Sequence, residues 1–216
     1  MSDSVLTPLQ EELLAAFFRY ETGFFLTGGA ALAGFYLGHR TTEDLDLFAT
    51  DETTWQRGRR ALAAAAGALD ASLETVQDVP GFARFVVTRG ADAVVVDLVL
   101  DRAPQQHPDK SVHAGIRVDP IEEIVANKLT TVVSRAEPKD LVDLMVLEDH
   151  GHRIDDHLAA AYAKDGGCTP ATVAWVLSEV EIPDAAELPG GVEPSRLRAF
   201  IEDLVRRLGR VSFPAT

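Results

Sequence analysis

One stretch narrows the choice of fold more than any other: Phe24–Phe48, FFLTGGAALAGFYLGHRTTEDLDLF. A short apolar run, Phe24-Phe25-Leu26, predicts a buried strand. Gly28-Gly29 breaks it, and Ala30–Leu37 reads as the first turns of a helix. Gly38-His39-Arg40 and Thr41-Thr42-Glu43 lead into a second strand, Asp44-Leu45-Asp46-Leu47-Phe48. Alternate side chains of a strand share a face, so Asp44 and Asp46 project together, away from Leu45 and Leu47. Adjacent carboxylates repel and raise each other's pKa. A hard, oxygen-seeking divalent cation relieves that repulsion, Mg2+ before others. The plain alternative is the solvated face of an edge strand.

The residues before the pair favour the cation. A Gly-Gly turn lets a polyphosphate approach backbone N–H groups, and a helix N-terminus favours anions. Gly28 and Gly29, with Thr27 ahead of them, thus form a candidate phosphate cradle beside the carboxylates. A nucleoside triphosphate with its metal ions suits such a site.

Further along, Trp55–Leu69 predicts a helix started by Asp51–Thr54. Arg57, Arg59 and Arg60 cluster on it, more in the manner of a solvated face than of a nucleic-acid contact. Leu73–Asp78, Phe82–Arg89 and Ala93–Leu100 read as strands, the last two joined as a hairpin at Gly90-Ala91-Asp92. In Val94-Val95-Val96-Asp97-Leu98-Val99-Leu100 one carboxylate interrupts an apolar run. Burying it is unfavourable unless something pairs with it, which makes Asp97 a candidate third carboxylate. Asp101, just past the strand, competes and points to the same side, but Asp97 lies deeper in the run. Arg102–Gly115 reads as a loop whose His107 and His113 lack zinc-ligand spacing. Ile116–Val118 reads as a short strand and Ile121–Ser134 as a helix with Lys128 at the edge of its apolar stripe. Ahead of all these, Leu9–Tyr20 reads as a scaffold helix with Pro8 in its first turn. After Gly151 come Asp155–Tyr162 and Ala171–Val180 as helices, a Pro/Gly linker at Ile182–Gly191, and a final amphipathic helix, Pro194–Gly209.

Gly28-Gly29, a helix, and the run Arg40-Thr41 to Asp44-Leu45-Asp46-Leu47-Phe48 resemble the first motif of polymerase-β-type nucleotidyltransferases. The closer resemblance is to the AbiEii/AbiGii family, toxins of bacterial toxin–antitoxin and phage-defence systems. It continues in Ala126-Asn127-Lys128-Leu129, Arg135 and Lys139-Asp140-Leu141-Val142-Asp143-Leu144. It spans Gly28 to Asp143 and thins after Gly151. Many superfamily members have Gly-Ser where this chain has Gly28-Gly29, which leaves a phosphate-binding hydroxyl to Thr27 or to none.

The resemblance implies an α/β fold: a mixed nucleotidyltransferase sheet flanked by helices over residues 1–118, then a helical C-terminal region, 119–216, that completes the active site. It implies Asp44, Asp46 and Asp97 as ligands of two Mg2+ ions, with Mn2+ as the substitute. It implies Lys128 and Asp143 as further catalytic residues. Thr27, Gly28, Gly29, Arg40, Thr41, Lys128, Arg135 and Asp140 would bind the nucleotide. The expected reaction moves an NMP from an NTP to a hydroxyl acceptor, a tRNA 3′ end or other RNA, with a cognate antitoxin as partner. Two alternatives keep the fold. One is a nucleotidyltransferase acting on a small antibiotic; the other is a nucleotide-binding module without catalysis.

Composition sets outer bounds. The chain has 216 residues, 46% of them hydrophobic, enough for one large domain or two small ones. A net charge of −14 disfavours an extended basic nucleic-acid surface, although not a small cleft for one RNA end. The single cysteine, Cys168, cannot form an internal disulfide, which fits a cytoplasmic setting. Met1–Pro8 has no signal-peptide pattern, and no apolar run nears the ~20 residues of a membrane span.

Overall fold

A computed structural model describes residues 5–212. The first residues of the polar N-terminal stretch, Met1–Ser4, lie outside it. Two compact units emerge. One comprises the residues through Arg102 together with Pro108–Pro120; the other comprises Ala103–His107 and the chain from Ile121 onward.

The first unit is built on a seven-stranded mixed sheet among the described residues. Its strands are β1 (Phe25–Thr27), β2 (Asp44–Ala49), β3 (Ser72–Val79), β4 (Phe82–Arg89), β5 (Asp92–Leu100), β6 (Ser111–His113) and β7 (Ile116–Val118). They lie in the order β3-β4-β5-β2-β1-β7-β6. Strands β2 and β5 run parallel, as do β1 and β7; the other neighbours are antiparallel. Residues paired across a sheet share a face. Val118, Leu26, Leu47, Leu98 and Ala83 therefore form one row across five strands, and all five are buried.

Helices α1 (Pro8–Tyr20) and α3 (Glu52–Ala68) pack on this sheet. Thr7 caps α1 in a reciprocal box with Gln10, and Asp51 caps α3 by accepting from the Thr54 N–H. Close approach of α3 depends on Gly58. A Cβ there would stand 2.5 Å from the Phe24 ring. The Trp55 indole N–H donates to the Leu98 carbonyl at 3.3 Å, and Phe24 meets Phe17 edge-on at 5.4 Å. Arg57 pairs with Glu21 at 2.6 Å and Arg59 pairs with Asp78, so two of the three arginines on α3 are held by acids of their own chain.

The second unit is helical: α4 (Ile121–Ser134), α5 (Pro138–Asp149), α6 (Leu158–Lys164), α7 (Pro170–Ser178) and α8 (Pro194–Ser212). Its buried residues include Ile124, Leu129, Leu144, Ile154, Leu204 and Leu208. Glu123, fully buried, ties Ala103–His107 to these helices. It accepts the His107 N–H at 2.7 Å and pairs with Lys164, which also donates to the Pro104 carbonyl at 3.3 Å. Cys168 is buried, which pushes its thiol up to about 11, with the charge of Asp165 adding. No described helix is long and apolar enough to cross a membrane.

Several expected boundaries shift by a residue or two. The helix after Gly28-Gly29 begins at Gly28 as α2 (Gly28–Leu32) and widens into a π-helical turn, Ala33–Leu37. The expected loop Arg102–Gly115 contains β6, and His113 packs there against the rings of Phe35 and Tyr36.

Candidate active site

The site is easiest to see as a second row across the same strands. Thr27 lies opposite Asp46, Asp46 beside Asp97, Asp97 opposite Arg84, and Arg84 opposite Gln77. This polar row lies on the face opposite the apolar row through Leu26, Leu47 and Leu98. Asp44 joins it from two residues along β2. Asp97, rather than Asp101, occupies the position beside Asp46; Asp101 follows the end of β5, where its N–H donates to the Ala49 carbonyl at 2.8 Å.

Three features of the sequence shape the ground around these carboxylates. Gly28 has φ +67°, and a Cβ added to it would stand 2.2 Å from Asp46 Oδ2. Only glycine both adopts that backbone and lets the carboxylate come so close. A Cβ on Gly29 would stand 2.6 Å from Nη2 of Arg40, so the arginine fills the space that a side chain at position 29 would take. Arg40 Nη1 also donates to the Thr41 carbonyl at 3.0 Å. Thr27 is buried and stands at the N-cap of α2 without a side-chain capping bond.

Thr42, which sequence reasoning passed over, holds Asp44. Its hydroxyl lies 3.1 Å from Asp44 Oδ1 and 3.3 Å from the Asp44 carbonyl oxygen. Thr41 is exposed. The Thr42 carbonyl in turn accepts from the buried Gln10 amide at 2.9 Å, so α1 supports the loop before the carboxylates besides serving as scaffold.

Arg84 is the other residue of the row not foreseen from the sequence. Its Nε donates to Asp97 Oδ1 at 2.8 Å and its Nη2 to Oδ2 at 2.7 Å, a bidentate pair. The Asp97 side chain is 7% exposed, that of Arg84 44%. The guanidinium is pushed above its usual pKa, foremost by the hydrogen bonds to Asp97, with burial opposing. The charges of Asp97, Asp44 and Asp46 then add to the upward shift. Both Asp97 oxygens thus face Arg84. Among the described residues no three His, Cys, Asp or Glu side chains stand together as ligands for an ion.

In the helical unit, Lys128 on α4 reaches the first turns of α5. Its Nζ lies 2.7 Å from Asp140 Oδ1 and 2.6 Å from Asp143 Oδ2. Both carboxylates are fully buried, and the lysine side chain is 8% exposed. Burial disfavours the ammonium, but the charges of Asp143 and Asp140 outweigh it and hold the amine above its usual pKa. Arg135 Nε approaches Asp140 Oδ2 at 3.3 Å. The sequence-selected residues Lys128, Arg135, Asp140 and Asp143 thus form one ion-pair network.

The family profile for the nucleotidyl transferase AbiEii toxin of type IV toxin–antitoxin systems matches residues 12–212. The chain belongs to the AbiEii nucleotidyltransferase family. The match reaches through α8, well past Gly151, where the motif resemblance thins. Two solved structures share the fold. One is a Helicobacter pylori protein assigned as a nucleotidyltransferase, 19% identical, with a TM-score of 0.55 over 93% of this chain and 95% of that one. The other is JHP933 from Helicobacter pylori, 20% identical, with a TM-score of 0.54 over 94% and 93%. No curated protein matches. As an AbiEii nucleotidyltransferase, the chain carries the Asp-x-Asp strand and the Lys128 network inside the matched region.

Proposed function

We propose that this AbiEii-family chain transfers an NMP from an NTP to a hydroxyl of RNA, with a tRNA 3′ end as the preferred acceptor. The observation that carries the reading is the row Thr27–Asp46–Asp97, with Gly28 turned tightly against Asp46. The row's chemistry suits divalent cations. Asp44, Asp46 and Asp97 are hard oxygen donors on one face of two adjacent parallel strands, and Asp97 can join once its oxygens leave Arg84. Asp44, Asp46 and Asp97 would hold two Mg2+ ions, or Mn2+ in their place. When bound, divalent cations supply charge stabilisation at the phosphates and acidify the acceptor hydroxyl.

The protein groups do the rest by position and charge. Thr42 fixes the Asp44 carboxylate. The bare Gly28-Gly29 backbone admits phosphate oxygens, and Arg40, lying over Gly29, offers them a guanidinium in place of the hydroxyl of a Gly-Ser pair. The acceptor hydroxyl gives up its proton to water as its oxygen bonds to the α-phosphorus, the bond to the bridging oxygen breaks, and pyrophosphate leaves with that electron pair. In the helical unit, Lys128 would carry the nucleotide role of the family lysine. Two of its three N–H donors meet Asp140 and Asp143, and the third suits a phosphate oxygen. The family's type IV toxin–antitoxin role implies a cognate antitoxin.

The test is incubation with each of four α-labelled NTPs and total RNA, resolved on a gel. Label in RNA of tRNA size is expected. Pyrophosphate release with label in a small acceptor instead, or no transfer to any acceptor, would overturn the assignment.

A further inference from the structure

Arg84 occupies the best-buried carboxylate of the row. Strand register puts it there. The hairpin pairs Arg89 with Asp92, and counting back along both strands brings Arg84 opposite Asp97. The two partners differ in what each can do. A buried carboxylate without a cation is strongly disfavoured, so Asp97 must always be neutralised by something. The guanidinium, 44% exposed, has a path to water and can leave. Asp44 and Asp46 also lie within its electrostatic reach.

We propose that Arg84 is a resident counter-cation that holds Asp97 away from divalent ions until the phosphates of an arriving nucleotide draw its guanidinium off. Arg84 is then a positioning residue whose release couples cation binding to substrate binding. Asp97 exchanges one cation for another and is never left bare, and the displaced guanidinium keeps an anionic partner in the triphosphate. The proposal rests on the nucleotidyl-transfer reading, because it takes Asp97 as a cation ligand.

Direct binding separates the two ideas. Mn2+ is titrated into the full chain and followed by electron paramagnetic resonance, with and without a non-hydrolysable NTP analogue. The wild type is expected to bind Mn2+ weakly alone and about tenfold more tightly with the analogue. Arg84→Gln should bind Mn2+ alone about tenfold more tightly than the wild type, and the analogue should then add little. Its thermal midpoint should fall and be restored by Mn2+. Arg84→Gln/Asp97→Asn, which removes both charges, should fold without Mn2+ and lose the gain in affinity. If folded Arg84→Gln binds Mn2+ no better than the wild type, or if the double variant keeps the gain, the counter-cation role is wrong. If the wild type binds no Mn2+ even with the analogue, the nucleotidyl-transfer reading fails first.

Discussion

The two ion-pair clusters of this chain are built from the same side-chain chemistry and are suited to opposite tasks. Around Lys128 the cation is buried, and so are both of its carboxylates. With Arg135 close by, two positive groups meet two negative ones. Around Asp97 the carboxylate is buried but the cation is nearly half exposed, and Asp44 and Asp46 add two more negative charges. Arg84, open to water, is a cation of that cluster that can exchange. Burial of the cation thus separates a fixed strut, whose Lys128 can still offer its third N–H to a phosphate oxygen, from a cluster whose cation can exchange.

The contrast can be broken in several places, and the largest effect is expected at the strut. Lys128→Met leaves two buried carboxylates without their main cation, and should lower unfolding stability by about 3–5 kcal/mol. Urea denaturation gives the number, and a loss below about 1 kcal/mol would mean that the network is not structural. Arg84→Gln should cost about 1–2 kcal/mol in the same assay, because its half-exposed guanidinium is screened by water. If it equalled Lys128→Met, the two clusters would not differ as described.

Gly28→Ala strains a backbone at φ +67° and drives a methyl group into Asp46. About 1–2 kcal/mol of stability should be lost, and nucleotide transfer should fall about a hundredfold through the displaced carboxylate. Label transfer and denaturation, measured on the same preparation, check both.

A smaller effect concerns pH. The Lys128 amine has a raised pKa in the folded chain, so its contribution to stability is complete below the ordinary lysine value of 10.5 and is lost only as pH rises through the higher folded value. The stability difference between wild type and Lys128→Met should therefore stay constant from pH 7 to about 9. A decline across that window would show that the amine is not held charged by Asp143 and Asp140. Smallest of all, Cys168 should alkylate slowly at pH 8 in the folded chain, since its thiol titrates at about 11 and is buried. Mass spectrometry after iodoacetamide measures this, and fast labelling would mean that the helical unit opens readily.

How far the sequence reveals these features depends on the range of the interaction. Alternation alone puts Asp44 and Asp46 on one face, and an acid inside an apolar run marks Asp97. The strand Phe82–Arg89 and the helix Ile121–Ser134 have the expected bounds. Periodicity does not give partners. Arg84 was nonetheless within reach, because a turn at Gly90-Ala91 fixes the pairing of β4 with β5 and puts Arg84 opposite Asp97. The expected turn, Gly90-Ala91-Asp92, included one residue too many and hid that register; Asp92 begins β5. Thr42 was harder to see, since Thr41 and Thr42 are alike in sequence and only the fold turns the second toward Asp44. The Glu123–Lys164 pair lies further still from view, because its partners are 41 residues apart and no local pattern joins them.

The carboxylate row is the chemical centre of the proposed reaction, and Asp46→Asn tests it most directly. This change removes one charge beside Gly28, on the face opposite the apolar row. Transfer of α-labelled nucleotide should fall at least about a thousandfold, with circular dichroism and thermal midpoint close to wild type. Wild-type turnover in a folded Asp46→Asn chain would contradict it.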